Sequence, residues 1–266
     1  MIKKYNAKHS AGGMFFTGII SLFALFFFVV SDKNGFYFPA GMFPLAVAYG
    51  LVYCISYFLT FVTLACGSFT LSMLIISYSL VFPIFYGVIF LHEQVSVFTC
   101  IGFVLLMLSL FFVRGKGNGK ETKISVKWLI SVIIVTLGNG VLAIIQKIQQ
   151  LKFNNECNNE FMIAGLAFSA AVLLAGGIIT DRKKLKEIIR CGIPYAGTAG
   201  VANGINNLLT IIVNNILPLS VVSPVGSGMK IVFSFLSATV LFKEKYMKRQ
   251  VAGVGIGVAA LVFLNL

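Results

Sequence analysis

Apolar residues run in blocks long enough to cross a lipid bilayer, separated by short polar segments. A helical span needs about 20 residues. Blocks of that order occupy 12–30, 42–65, 70–91, 95–113, 128–147, 160–179, 192–213, 218–242 and 249–266. The pattern predicts an all-α polytopic membrane protein with nine transmembrane helices. The first block, after MIKKYNAKHS, is too long for a signal-peptide core and lacks a small-x-small cleavage site, so it reads as a span. The segment RGKGNGKETKISVK, 114–127, has no apolar period and reads as a flexible basic linker between halves at 1–113 and 128–266.

The eighth block carries a lysine, Lys230, at its midpoint. Helical spacing places Ser223, Gly226, Ser227, Lys230, Ser234 and Ser237 on one face. Val221, Val222, Val225, Met229, Val232 and Leu236 fall on the other. An ammonium at mid-bilayer costs roughly 2.5–3.5 kcal/mol on insertion scales, so it must face a polar interior and have a partner. Two partners are compatible with the sequence: carbonyls freed near Pro224 and Gly228, or an anionic group on a bound substrate.

Composition agrees with this class: 58% of residues are hydrophobic and 11% charged, and the mean hydropathy is +0.95. A net charge of +13 raises the question of nucleic acid. Its distribution answers it, because nearly all of the basic residues lie in the segments between apolar blocks, where they set orientation. No basic patch interleaved with aromatics is present for a nucleic-acid partner. The five cysteines are scattered without CxxC or Cys/His spacing, so neither a disulfide framework nor a metal site is expected, and no cofactor is implied.

Basic residues precede the first span (Lys3, Lys4, Lys8) and cluster at 114–127, 181–190 and 243–249. These segments can share one side, the cytoplasmic side of the plasma membrane, with Leu266 outside. The halves are similar to one another. FLHEQVSVFTCIGFVLL (90–106) aligns with FKEKYMKRQVAGVGIGV (242–258), pairing Glu93 with Glu244 and Gly102 with Gly253. MFFTGIISLFALFFFVVSDK (14–33) likewise matches MIAGLAFSAAVLLAGGIITDR (162–182). The matched loops differ in charge: HEQ has no Lys or Arg and KEKYMKR has four. Opposite charge bias is what an inverted-topology repeat requires.

Paired units of apolar span, Glu, short loop, x-Gly and apolar span, together with LGNGVLAIIQK at 137–147, resemble the drug/metabolite transporter superfamily, in particular its EamA-like branch. The resemblance implies a secondary transporter of ten helices in two inverted five-helix repeats around a central substrate cavity, with both ends cytoplasmic. Here the first repeat (1–113) has four spans and the second (128–266) five. MIKKYNAK resembles the tail of span five, IIQKIQQLK, so the first helix of the first repeat is expected to be missing and the repeat N-terminally truncated. Leu137 stands where the family pattern has an aromatic residue.

Inverted-repeat transporters bind substrate near the bilayer midplane. Polar stripes mark candidates for such a site. Span seven offers Asn203, Asn206, Asn207, Thr210 and Asn214, and span two offers Tyr49, Tyr53, Ser56, Tyr57 and Thr60. Span five adds Thr136, Asn139 and Gln146. The expected substrate contacts are Lys230, Ser227, Asn203, Asn207, Asn139, Tyr53 and Tyr57. Each also has a structural reading, since Asn and Thr bridge helices and tyrosines line membrane interfaces. Trp128 reads as an interface residue. Glu93 and Glu244 read as structural, and the glycines of VAGVGIGV as helix packing or a homodimer contact. Pro83 with Gly87, and Pro224 with Gly228, are expected to interrupt spans three and eight.

All eight acidic residues lie in loops or at span ends. Exchange of a cationic drug for protons needs an intramembrane carboxylate, so a small metabolite bearing a carboxylate or phosphate, such as an amino acid or organic acid, is the better match. The alternatives are multidrug efflux of lipophilic cations and a non-transporting membrane subunit or defective fragment. His9 and His92 lie outside the central region, and no catalytic constellation forms with them, so an enzyme is not expected.

Overall fold

The structure, a computed structural model, describes residues 2, 5–6, 13–32, 37–67, 69–93, 96–113, 125–242 and 248–263, some of them in 70–74, 110–113 and 224–262 by backbone alone. Every regular element among the described residues is helical. In chain order these are α1 (Gly13–Ser31), α2 (Phe43–Cys66), α3 (Phe69–Ser77), α4 (Val81–Phe90), α5 (Val97–Val113), α6 (Val126–Lys152), α7 (Asn158–Thr180), α8 (Ile193–Ile216), α9 (Leu219–Phe242) and α10 (Lys248–Phe263). Five helical stretches, Gly13–Ser31, Ala40–Cys66, Val126–Lys152, Asn158–Thr180 and Arg182–Ile216, are long and apolar enough to span a membrane. The protein is therefore a membrane-embedded, multi-pass helical bundle.

Span three is broken, as its proline implies, but one turn upstream of it. A 3-10 turn at Tyr78–Leu80 separates α3 from α4. Pro83 has no N–H to offer the carbonyl of Ser79, four residues back, and the helix tightens there. Span eight behaves differently. The helix α9 runs unbroken through Pro224 and Gly228, so the interruption expected there is absent.

The chain divides into two compact units: residues 1–66 with 141–215, and residues 67–140 with 216–266. Neither coincides with a half of the sequence. In the first unit α7 packs against both α1 and α2. The approach is close because glycines replace side chains. A Cβ on Gly177 would lie 2.5 Å from the backbone of Phe15, and one on Gly50 would lie 2.7 Å from the carbonyl oxygen of Gly165. The core fills with Phe28, Met42, Ala46, Tyr49, Tyr53, Phe161, Met162 and Leu166. A second nest gathers Tyr5, Phe16, Ile20, Phe61 and Ile188, with the Tyr5 and Phe16 rings stacked 4.1 Å apart.

In the second unit α5 packs along α10, and α9 packs against α3, α4 and α10. Ser109 Oγ donates to the carbonyl of Gly253 at 2.7 Å and would crowd a Cβ on Gly257 at the same distance. Both glycines of that spacing are thus used within the chain, whereas Gly255 faces open space. Trp128 is buried rather than at an interface: its indole N–H donates to Ser72 Oγ at 3.0 Å.

Candidate functional site

Four of the residues singled out by their polar stripes come together in the first unit. Tyr53 and Tyr57 are one turn apart on α2, and Asn203 and Asn207 are one turn apart on α8, so each pair projects from one helix face. The Tyr57 hydroxyl donates to Asn203 Oδ1. Asn203 Nδ2 donates to the Tyr53 hydroxyl at 2.5 Å, and Asn207 Nδ2 reaches Asn203 Oδ1 at 3.4 Å. Asn203 is thus the hub, accepting twice and donating once. The i, i+4 spacing also stacks the rings: Tyr53 and Tyr57 lie 4.2 Å apart at 15°, with Tyr49 behind them at 6.0 Å.

Exposure is graded across the cluster. Tyr49 and Tyr53 are buried, and Tyr49 is held edge-on by Phe161 at 5.2 Å. Tyr57, Asn203 and Asn207 are half-buried. Within this network the Asn207 carbonyl, its second N–H and the second N–H of Asn203 are not used. The result is a rigid neutral edge of donors and acceptors beside an aromatic face. It can orient a polar solute.

The other expected contacts belong to the second unit. Asn139 is half-buried on α6. Ser227 and Lys230 lie within α9, and their side chains fall outside the described residues. Of the remaining stripe residues, Asn206 is exposed, Thr210 bonds back to the Asn206 carbonyl at 2.8 Å, and Asn214 is buried. Among the described residues no cluster of His, Cys, Asp or Glu could hold a metal ion.

Other polar side chains complete helix ends. Lys147 Nζ donates to the Asn214 carbonyl at 2.9 Å and Gln150 Nε2 to the Ile211 carbonyl at 3.1 Å, closing the C-terminal end of α8. The N-terminal end of α9 is closed by Glu93, whose two carboxylate oxygens accept the Leu219 and Ser220 N–H groups at 2.9 and 2.8 Å. This is the structural role its place after an apolar span suggests. Gly87 makes room, since a Cβ there would lie 2.5 Å from that carboxylate. Asp181 Oδ2 does the same for α1, accepting the Phe15 N–H at 3.1 Å. A lone Lys, Gln or Asp at a span end gives no sequence signal of which helix it closes.

No protein-family model and no curated protein matches the chain. Among solved structures, one crystal structure of a protein is similar over 97% of this chain and 90% of that chain, with a TM-score of 0.68 and 11% sequence identity. The likeness is one of fold.

Proposed function

We propose that the chain is a secondary transporter of the plasma membrane that moves a small metabolite with an anionic group, an amino acid or organic acid, by alternating access. The observation that carries this reading is the Tyr53–Tyr57–Asn203–Asn207 cluster on two apolar helices. Simple helix–helix adhesion through hydrogen bonds contributes only about 0.6 kcal/mol per bond on average in a membrane. A network of four polar side chains that leaves part of its own hydrogen-bonding capacity unused is better matched to a solute. Lys230, at the middle of the eighth apolar block, is the residue assigned to the anion.

The drug/metabolite transporter architecture, two inverted repeats with nine spans here and ten in the family, is part of the same proposal. Its support is that matched spans pack on each other, α1 on α7 and α5 on α10, as copies related by a local two-fold axis would. The stacked tyrosines favour one alternative, efflux of lipophilic cations, because aromatic faces attract cations.

The test is counterflow of radiolabelled amino acids and organic acids in proteoliposomes. Lys230→Met is expected to abolish transport of the anionic solute while the protein stays folded, and Asn203→Leu to weaken it. Full activity of Lys230→Met removes the anion assignment. Competition by tetraphenylphosphonium, with no effect of the methionine, selects the cation exporter. No flux of any solute selects a non-transporting subunit.

A further inference from the structure

The connector between α7 and α8 is a compact helical segment: a 3-10 turn at Arg182–Lys184, a single α turn at Leu185–Glu187 and a π turn at Ile188–Gly192. It joins two apolar helices and therefore lies where the membrane meets water. Ile188 fixes its rotation, being wholly buried among Tyr5, Phe16, Phe61 and Ala196. The segment is strongly basic, with five exposed cations and one exposed carboxylate, Glu187. Asp181 is spent on the Phe15 N–H, and Glu187 lies near enough to Tyr5 to push its phenol pKa upward. Arg182, Lys183, Lys184, Lys186 and Arg190 are all exposed. Between them Ile189 presents an apolar side chain that is 48% exposed, followed by Ile193 at 40%.

Cationic side chains interleaved with exposed aliphatic ones suit the phosphate and upper acyl region of a lipid leaflet. We infer that the segment Arg182–Arg190 is a docking surface for acidic phospholipid headgroups. The folded segment exposes five bases against one exposed carboxylate, Glu187, so its surface is strongly cationic.

Native mass spectrometry of the purified full chain tests this, with phosphatidylglycerol and phosphatidylcholine of equal chain length as probes. The wild type is expected to retain phosphatidylglycerol preferentially. A basic residue near an anionic surface is worth roughly fivefold in binding. Replacing all five (R182Q, K183Q, K184Q, K186Q, R190Q) should thus lower the preference at least about tenfold, with an unchanged melting temperature. The triple exchange K183R, K184R, K186R should keep it. If the five-site variant does not fold, Lys183→Gln with Lys184→Gln reads the same loss on a smaller scale. Equal retention of both lipids by the wild type overturns the inference, as does preference surviving glutamine replacement. Displacement of the lipid by millimolar inorganic phosphate also overturns it, assigning the surface to free phosphate.

Discussion

Asn203 illustrates how one amide can organise a polar site in an apolar bundle. Tyr57→Phe removes one of its two donors while keeping the ring stack, so the loss should be small in stability, about 0.6–1 kcal/mol. The loss in solute affinity should be larger, because the neighbouring half-buried groups would reorient. Melting in detergent and substrate titration separate the two, and equal losses in both would make the cluster simple adhesion. Tyr5 gives a pH signature. Burial chiefly, with Glu187, Cys191 and Asp181, raises its phenol from 10.0 to about 12. Its folded pKa lies above the unfolded one, so the associated stability is complete below pH 10 and disappears as pH rises through about 12. Tyr5→Phe should flatten that alkaline limb in a pH series of melting curves. The stripes of Tyr and Asn were legible in the sequence because they follow the helical period. The hub role of Asn203 was not, because helical spacing tells which residues share a face and not which faces meet.

At the scale of elements, apolar length located the helices well. The block at 42–65 became α2 at Phe43–Cys66, and 160–179 became α7 at Asn158–Thr180. Helix breaks were harder to read, since the same Pro and Gly pairing interrupts one span at Tyr78–Leu80 and leaves α9 continuous. Trp128, placed at a span end by hydropathy, is buried by packing on Gly67 and Ser72, a tertiary effect with no local signature. Glu93 matters most for α9. Hydrogen bonds to a charged acceptor are worth about 1.5–3 kcal/mol each, and Glu93→Ala removes two of them. It should destabilise the protein by about 2 kcal/mol or more and speed amide exchange in the first turn of α9. Glu93→Gln keeps one oxygen and should fall between the two. Unchanged exchange in the alanine variant would mean that α9 closes itself.

On the scale of the whole molecule, each compact unit draws on both halves of the chain. Neither half alone holds a complete unit, whatever the similarity between them. Halves 1–118 and 119–266, produced separately, should be unstable, and co-production should restore a complex that purifies through a tag on either half. Independent stability of one half would contradict the division into units. The expected similarity between halves rests on residues that keep their order along the chain. The exchange of segments was invisible, because order along the chain does not determine which helices touch.

The helix-closing carboxylates also fix a timetable. Glu93 precedes α9 by 126 positions, so it is already in the bilayer when that helix emerges from the ribosome. Asp181 follows Phe15 by 166. The helix whose first turn holds Phe15 therefore waits for its closing carboxylate until 166 further residues have been synthesised.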